Sequence, residues 1–146
     1  MAVIKRINLL IISMLLFYGT ACDAQTLDEI ARMKQQCKSC LDSGVDMQGC
    51  ARKYSIRMYE MVDTAYDNLS KKLSQKERAS LKNDQMQWLQ KRDKFEKEQV
   101  KEFQKKIKSE EWGYDMFMIV YENDAEFTRK RVVDLIKMRN KYLNKK

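Results

Sequence analysis

Hydrophobic residues recur in steps of three and four along most of the chain, and no alternating run is long enough to predict a strand. The clearest series is Leu81, Gln85, Trp88, Arg92 and Phe95, which a helix places on one face. Two of its members are polar, and a buried Gln or Arg is costly unless its donors find partners. The series therefore predicts a helix face that packs through apolar contacts and a polar network.

Capping and turn signals divide this pattern into separate helices. Capping-box sequences begin at Thr26 and Ser74, and Asp46 is placed to cap a further helix. The third helix is predicted over 76–108, which is about 50 Å at 1.5 Å per residue, and the turn at 109–113 precedes a fourth. The sequence has no Pro and only 4 Gly. We predict an all-α, single-domain bundle of about four helices with long antiparallel helices.

The N-terminal 24 residues have the layout of a secretory signal. Two basic residues precede an apolar run over 9–18, and small residues follow it. Cleavage after Ala24 is the preferred interpretation, and the alternative is a lipoprotein signal in which Cys22 becomes the acylated first residue. The sequence thus predicts an exported protein, periplasmic or secreted, in which residues 25–146 form the folded domain.

Positive charge is concentrated at the C-terminal end. The formal net charge is +8, yet residues 25–128 hold equal numbers of acidic and basic side chains. One interpretation is that the cations after residue 128 offset a helix macrodipole and keep the tail soluble. The other is that they attract an anionic lipid, a glycan phosphate or an acidic protein. The candidate residues for such an anionic-partner patch are Arg129, Lys130, Lys137, Arg139 and Lys141.

Residue types exclude several kinds of chemistry. The chain has no His, which rules out Ser-His-Asp and Cys-His arrangements within it. Without His, Cys37, Cys40 and Cys50 lack a fourth ligand for zinc. No carboxylate pair stands out for glycoside hydrolysis. We therefore expect a binding protein with no catalytic residue, metal or cofactor. The basic and aromatic residues would suit nucleic acid, but an exported protein is not expected to meet it.

Four sequence blocks resemble the LprI-like lysozyme-inhibitor domain family, which consists of small exported bacterial helical proteins. The most specific block is Gln-x-x-Trp-x-x-x-Arg-Asp at 85–93, and the looser blocks lie at 46–51, 63–69 and 128–135. Together they cover nearly all of residues 40–136. The residues that carry this structural signature are Leu81, Gln85, Trp88, Arg92, Asp93, Thr128, Arg131 and Leu135.

The resemblance implies an exported binding protein whose partner is a lysozyme-type hydrolase or another envelope protein. It also places Cys50 in a family block, so Cys50 is the expected member of one local disulfide, with Cys37 or Cys40 as its partner. Loop closure is worth roughly 3 kcal/mol for either pairing and does not choose between them. The alternative function is that of an envelope-associated or toxin-immunity protein whose basic C-terminal helix binds an anionic partner or a membrane surface.

The residues of the specific block are expected to stabilise the fold and not to contact the partner. Gln85, Trp88 and Arg92 share one helix face, so whatever covers Trp88 should cover the other two at least partly. A covered Arg92 needs a carboxylate partner. The candidates for that partner are Asp63, Asp67 and Asp124.

Overall fold

A computed structural model describes residues 26–144, and its regular structure is entirely helical. The predicted secretory signal and Cys22 lie outside the described residues. Within them, the prediction of an all-α bundle of about four helices is confirmed. A short 3-10 helix, Tyr114–Met116, directly precedes the last of these four helices, which are α1 (Leu27–Asp42), α2 (Met47–Ser70), α3 (Gln75–Lys108) and α4 (Phe117–Leu143).

The helix starts at Thr26 and Ser74 agree with the sequence prediction. The Thr26 hydroxyl accepts a hydrogen bond from the backbone N–H of Glu29 at 3.1 Å. Ser74 and Glu77 form a complete capping box, in which each side chain accepts a hydrogen bond from the other residue's backbone N–H. These bonds satisfy donors that the first helical turn leaves without partners, which fixes where α1 and α3 begin.

The N-terminal cap of α2 brings the Asp46 side chain close to the backbone of Gly49. Asp46 caps it by accepting a hydrogen bond from the N–H of Gly49 at 3.0 Å, and Asp46 itself is left-handed with φ 48°. A Cβ atom on Gly49 would collide with the Asp46 carboxylate. A side chain at position 49 would therefore displace the Asp46 carboxylate from this capping position.

Helices α2 and α4 form the centre of the molecule. Two contacts show that they run parallel. Ser55 donates a hydrogen bond to Asp124 near the starts of the two helices, and Leu69 and Met138 line one recess near their ends. Small residues allow close contact between α2 and α4. Helix α1 covers α2 and adds Ile30 to the core. The most deeply buried core residues are Ala51, Met58, Val62, Ala125, Val132, Leu135 and Ile136.

Helix α3 lies along the outside of this core. It runs antiparallel to α4, because Gln85 meets Arg131 and Gln99 meets Asn123. Only Leu81 and Phe103 of its 34 residues are buried. The contact of α3 with the core is therefore a narrow stripe, and most of this helix faces solvent. Among the residues that the structure describes, no helix is both long and apolar enough to cross a membrane.

Candidate partner-binding groove

The disulfide joins α1 to α2 through Cys40 and Cys50, whose Cα atoms are 5.8 Å apart. Cys37 is a buried free thiol, and its Sγ lies 4.0 Å from the carbonyl oxygen of Cys50. Burial, and then the charges of Glu122 and Glu126, raise the pKa of the Cys37 thiol. Cys37 is therefore held in the protonated, unreactive form. The pairing that the sequence left open is the one through Cys40.

Peptide mapping without reduction is expected to recover Cys40 linked to Cys50 and Cys37 unlinked. Replacing the bonded residue in Cys50→Ala should lower the free energy of unfolding by about 3 kcal/mol, because the unfolded chain regains the freedom of the closed loop. Chemical denaturation would measure this loss, and Cys37→Ala, which leaves the disulfide intact, is the control. A peptide that links Cys37 to Cys50 would contradict the assignment.

Arg131 is the buried charge that joins α3 to α4. Its side chain is 5% exposed and forms an ion pair of 2.6 Å with Asp84 Oδ2. Its Nε and a terminal nitrogen donate to Gln85 Oε1 at 2.9 and 2.7 Å. The guanidinium carbon also lies 5.9 Å from the centre of the Trp88 ring. Gln85 and Asp84 thus offset the cost of removing the Arg131 charge from water.

Aromatic rings pack between α3 and α4 beside the ion pair of Arg131 and Asp84. Trp88 is half-buried and stacks on Phe127 at a centroid distance of 6.3 Å. Phe127 in turn stacks on Phe95 at 4.6 Å. The rings of α3 and α4 therefore form one continuous apolar contact between the two helices, in offset geometry that aromatic pairs favour.

Arg92 makes its ion pairs on its own helix. Its side chain is 25% exposed, and it lies 2.8 Å from Asp93 and 3.4 Å from Glu96. Burial alone would lower the Arg92 pKa, but the hydrogen bond to Asp93 and the nearby Glu96 raise it. The sequence expectation for the carboxylate partner of Arg92 is therefore wrong, because Arg92 is partly exposed and lies within reach of carboxylates on α3. The residues expected in that role were Asp63, Asp67 and Asp124.

Those three carboxylates have other surroundings. Asp63 and Asp67 are exposed on α2. Asp124 is buried, and it accepts a hydrogen bond from Ser55 at 2.5 Å, while the Tyr59 hydroxyl lies 2.5 Å from its other oxygen. Burial, followed by the hydrogen bonds to carboxylates, raises the Tyr59 pKa, so this hydroxyl keeps its proton. Asp124 therefore serves to join α2 to α4.

A groove of about 370 Å³ opens between α3 and α4 above Trp88 and Phe127. We call it the α3–α4 groove. Because α3 and α4 are antiparallel, its basic end carries Lys91 and Lys130, and its acidic end carries Asp84 and Asp134. The remaining lining residues are Gln87, Arg131 and Met138.

A second recess of about 380 Å³ lies beside the acidic end of the groove. Asp84 and Met138 line both spaces, so the two adjoin at these side chains. The recess is more apolar than the groove. Its other lining residues are Leu69, Leu73, Glu77, Ser80, Leu81 and Tyr142.

The basic residues of α4 do not form one surface. Lys130, Lys137 and Lys141 are exposed, but Arg139 is buried at 8% exposure. Arg139 falls inside because positions 131, 135 and 139, four residues apart, follow the same buried face of α4. Arg129 pairs with Glu126 at 2.9 Å.

Glu126 connects three helices. It accepts hydrogen bonds or ion pairs from Arg129 on its own helix, from Lys34 of α1 at 3.1 Å and from Tyr54 of α2 at 3.3 Å. Burial alone would raise the Glu126 pKa, but the bonds from Lys34 and Arg129 lower it. The charge of Arg129 is thus used within the fold.

The remaining signature residues lie at different depths. Leu81, Thr128 and Leu135 are buried, whereas Asp93 is exposed. The Thr128 hydroxyl has no hydrogen-bond partner among residues 26–144. The structure therefore brings Gln85, Arg92 and Arg131 together around Trp88 and leaves the others spread along α3 and α4. Asp84, Phe127 and Met138, which sequence reasoning missed, were signalled only by their three- and four-residue spacing from the signature.

Truncating the ring in Trp88→Ala should lower the free energy of unfolding by about 2–3 kcal/mol. This is less than the loss for a fully buried Trp, because Trp88 is half-buried. Trp88→Phe, which keeps a ring on Phe127, is the matched control and should lose less. Thermal melting measures both. A Trp88→Ala variant that melts like the parent would contradict this role of Trp88 in stabilising the fold.

The groove offers ionic and apolar contacts. Within residues 26–144, no group of three or more His, Cys, Asp or Glu side chains could hold a metal ion. Aromatic and thioether surface lies beside exposed carboxylates and ammonium groups. Such a mixture of an apolar floor and a charged rim is typical of protein–protein interfaces.

Comparison with known proteins identifies the family. No match to this chain was found among curated proteins or among solved structures. The sequence profile of the family described as "Lysozyme inhibitor LprI" matches residues 37–135, which is well over half of the chain. The matched region runs from Cys37 to Leu135 and contains the disulfide, the Arg131 network and most of the α3–α4 groove. The resemblance seen in the sequence blocks is confirmed, and the chain belongs to the LprI family of lysozyme inhibitors.

Proposed function

We propose that this protein is an exported envelope protein that binds a lysozyme-type hydrolase and inhibits it by noncovalent contact. The observation that carries the proposal is the family match over residues 37–135. The α3–α4 groove supports it as a surface, because its floor is apolar and its rim is charged.

The positions of the α4 charges in the fold favour this proposal more than the basic net charge of the sequence does. Many lysozymes are strongly basic, and like net charges slow the encounter of two proteins. In α4, however, the charges of Arg131 and Arg139 are buried, and that of Arg129 is offset by Glu126. The net charge is unchanged by this burial, but the acidic end of the groove places Asp84 and Asp134 where a basic partner can meet them.

A lysis assay tests the proposal directly. Adding the purified protein to a basic c-type lysozyme should slow the clearing of a bacterial cell-wall suspension. Gel filtration should show a complex of the two proteins. An unrelated basic helical protein of similar size is the control for nonspecific charge effects. Undiminished lysis at a molar excess, together with separate elution of the two proteins, would contradict the proposed function.

Export has its own measurement. The intact mass of the native protein should correspond to loss of residues 1–24, or to a diacyl or triacyl form that begins at Cys22. An unprocessed chain that still starts at Met1 in the soluble fraction would contradict export while leaving the inhibitor proposal to the lysis assay.

The alternative of an anionic partner receives less support. A lipid or phosphate surface would meet Lys130, Lys137 and Lys141 together, but Arg139 is turned inside and Arg129 is already paired. Lys137 and Lys141 also lie toward the C-terminal end of the helix, where cations offset the macrodipole. The groove therefore supports a protein partner better than the basic helix supports a membrane surface.

A further inference from the structure

We propose that the hydrolase docks a Lys or Arg side chain at the place where the α3–α4 groove meets the recess, an inference that rests on the proposed function. We call this place the Met138 junction, and it consists of Met138, Asp84 and Asp134. Asp84 and Met138 line both spaces, and Asp134 lines the groove. The junction thus presents an apolar surface with a carboxylate on each neighbouring helix.

The side chains of the junction match the shape of a long cationic side chain. Met138 is 43% exposed, and the Asp84 side chain is 50% exposed. Lys and Arg carry an aliphatic stem that covers apolar surface and a charged end that stays near water. The stem would lie on the Met138 thioether, and the charged end would reach the two carboxylates.

The charges around the junction favour a cation over an anion. Asp84 already meets Arg131, but through Arg131 atoms that are buried beneath it. Asp134 is exposed and has no ion-pair partner among residues 26–144. No Lys or Arg of the described chain lines the recess on the far side of Met138. Of the cations that line the groove, Lys91 and Lys130 lie toward its other end, and Arg131 is buried and already paired with Asp84.

Two sources could supply the cationic side chain. One is the basic hydrolase of the proposed function, whose approach a pair of carboxylates would favour. The other is this chain itself, because Lys145 and Lys146 follow Tyr142, which lines the recess. We assign the junction to the hydrolase, since a basic partner brings several exposed cations to the groove and the recess, which together span about 20 Å from position 77 to position 91 at 1.5 Å per residue.

Occupying the junction by mutation gives the first test. Met138→Lys places a cation of the protein's own between the two carboxylates, so the dissociation constant for a basic c-type lysozyme should rise about tenfold or more. Met86→Lys is the matched control, because Met86 is 52% exposed on α3 and lines neither space. Titration calorimetry measures the affinity, and thermal melting confirms that both variants are folded. Equal affinities of parent and Met138→Lys would overturn the junction while leaving the proposed function in place.

Removing one charge gives the second test. Asp134→Asn should weaken binding about threefold to fivefold and make it less sensitive to salt, as expected for an exposed ion pair across an interface. Asp63→Asn makes the same change at an exposed position of α2 outside the groove and should leave affinity unchanged. Equal losses in the two variants would show that net charge, and not the junction, attracts lysozyme.

A small probe separates failure of this inference from failure of the proposed function. Butylguanidinium carries a guanidinium on an aliphatic stem, and its addition should shift the methyl resonance of Met138 in the full chain, but not that of Met86. If lysozyme fails to bind the parent, the proposed function fails, and the Met138 shift then decides the junction. An unshifted Met138 methyl overturns it. A Met138 resonance that already moves when Lys145 and Lys146 are deleted identifies the chain's own tail as the occupant and overturns the assignment to the hydrolase.

Discussion

Removing both partners of Arg131 in the double variant Asp84→Ala/Gln85→Ala should lower the free energy of unfolding by about 3–5 kcal/mol. The reason is that Arg131 is 5% exposed, and the ion pair with Asp84 and the hydrogen bonds to Gln85 offset the cost of burying its charge. The variant leaves a guanidinium buried without its acceptors, whereas a change at Arg131 itself would leave the half-exposed Asp84 free to be solvated. Chemical denaturation gives the free energy.

Two further variants make this expectation specific. Asp93→Ala removes the carboxylate of the more exposed Arg92 and should cost at most about 1 kcal/mol, because solvent screens that pair. Adding Arg131→Met to the double variant should recover part of the lost stability, since it replaces the unpaired charge with an apolar side chain of similar length. A triple variant that is less stable than the double would show that packing, and not the buried charge, accounts for the loss.

Leu135→Ala should also cost about 3–5 kcal/mol, because Leu135 is fully buried where α4 meets α2 and the surrounding core cannot collapse onto the cavity. Leu143→Ala, the same change in the same helix at 48% exposure, should cost under about 0.5 kcal/mol. Thermal melting of the two variants beside the parent measures the difference. Similar melting temperatures for both would place Leu135 outside the cooperative core.

Local features of the fold could be predicted from the sequence because they depend on neighbours in the chain. The caps at Thr26, Asp46 and Ser74 each involve a residue only three positions away. The third helix was expected over 76–108 and occupies Gln75–Lys108. These elements need no knowledge of which helix packs against which.

Features that depend on the arrangement of helices were not accessible in this way. Periodicity indicates which face of a helix is covered but not which helix covers it, so the parallel pairing of α2 with α4 was not foreseen. For the same reason, Arg92 was assigned a distant carboxylate, although its partners lie on its own helix. The buried guanidinium is instead Arg131, which is met by Gln85 of the same sequence block.

The choice between Cys37 and Cys40 has a similar origin. Both lie on α1 one turn apart, and their loops to Cys50 differ too little in entropy to separate them. The turn that Gly44 and the left-handed Asp46 make between α1 and α2 sets which side chain faces Cys50. That orientation is a matter of three-dimensional geometry, and the spacing of cysteines does not contain it.

The shallow seating of α3 has a consequence for protein engineering. Because only Leu81 and Phe103 of its 34 residues are buried, most positions along this helix can be exchanged at little cost in folding. A library randomised at the solvent-facing positions of α3, with Asp84, Gln85 and Trp88 retained, should yield mostly folded members. Such a library would turn the helix into a display surface from which binders of chosen target proteins could be selected on an unchanged scaffold.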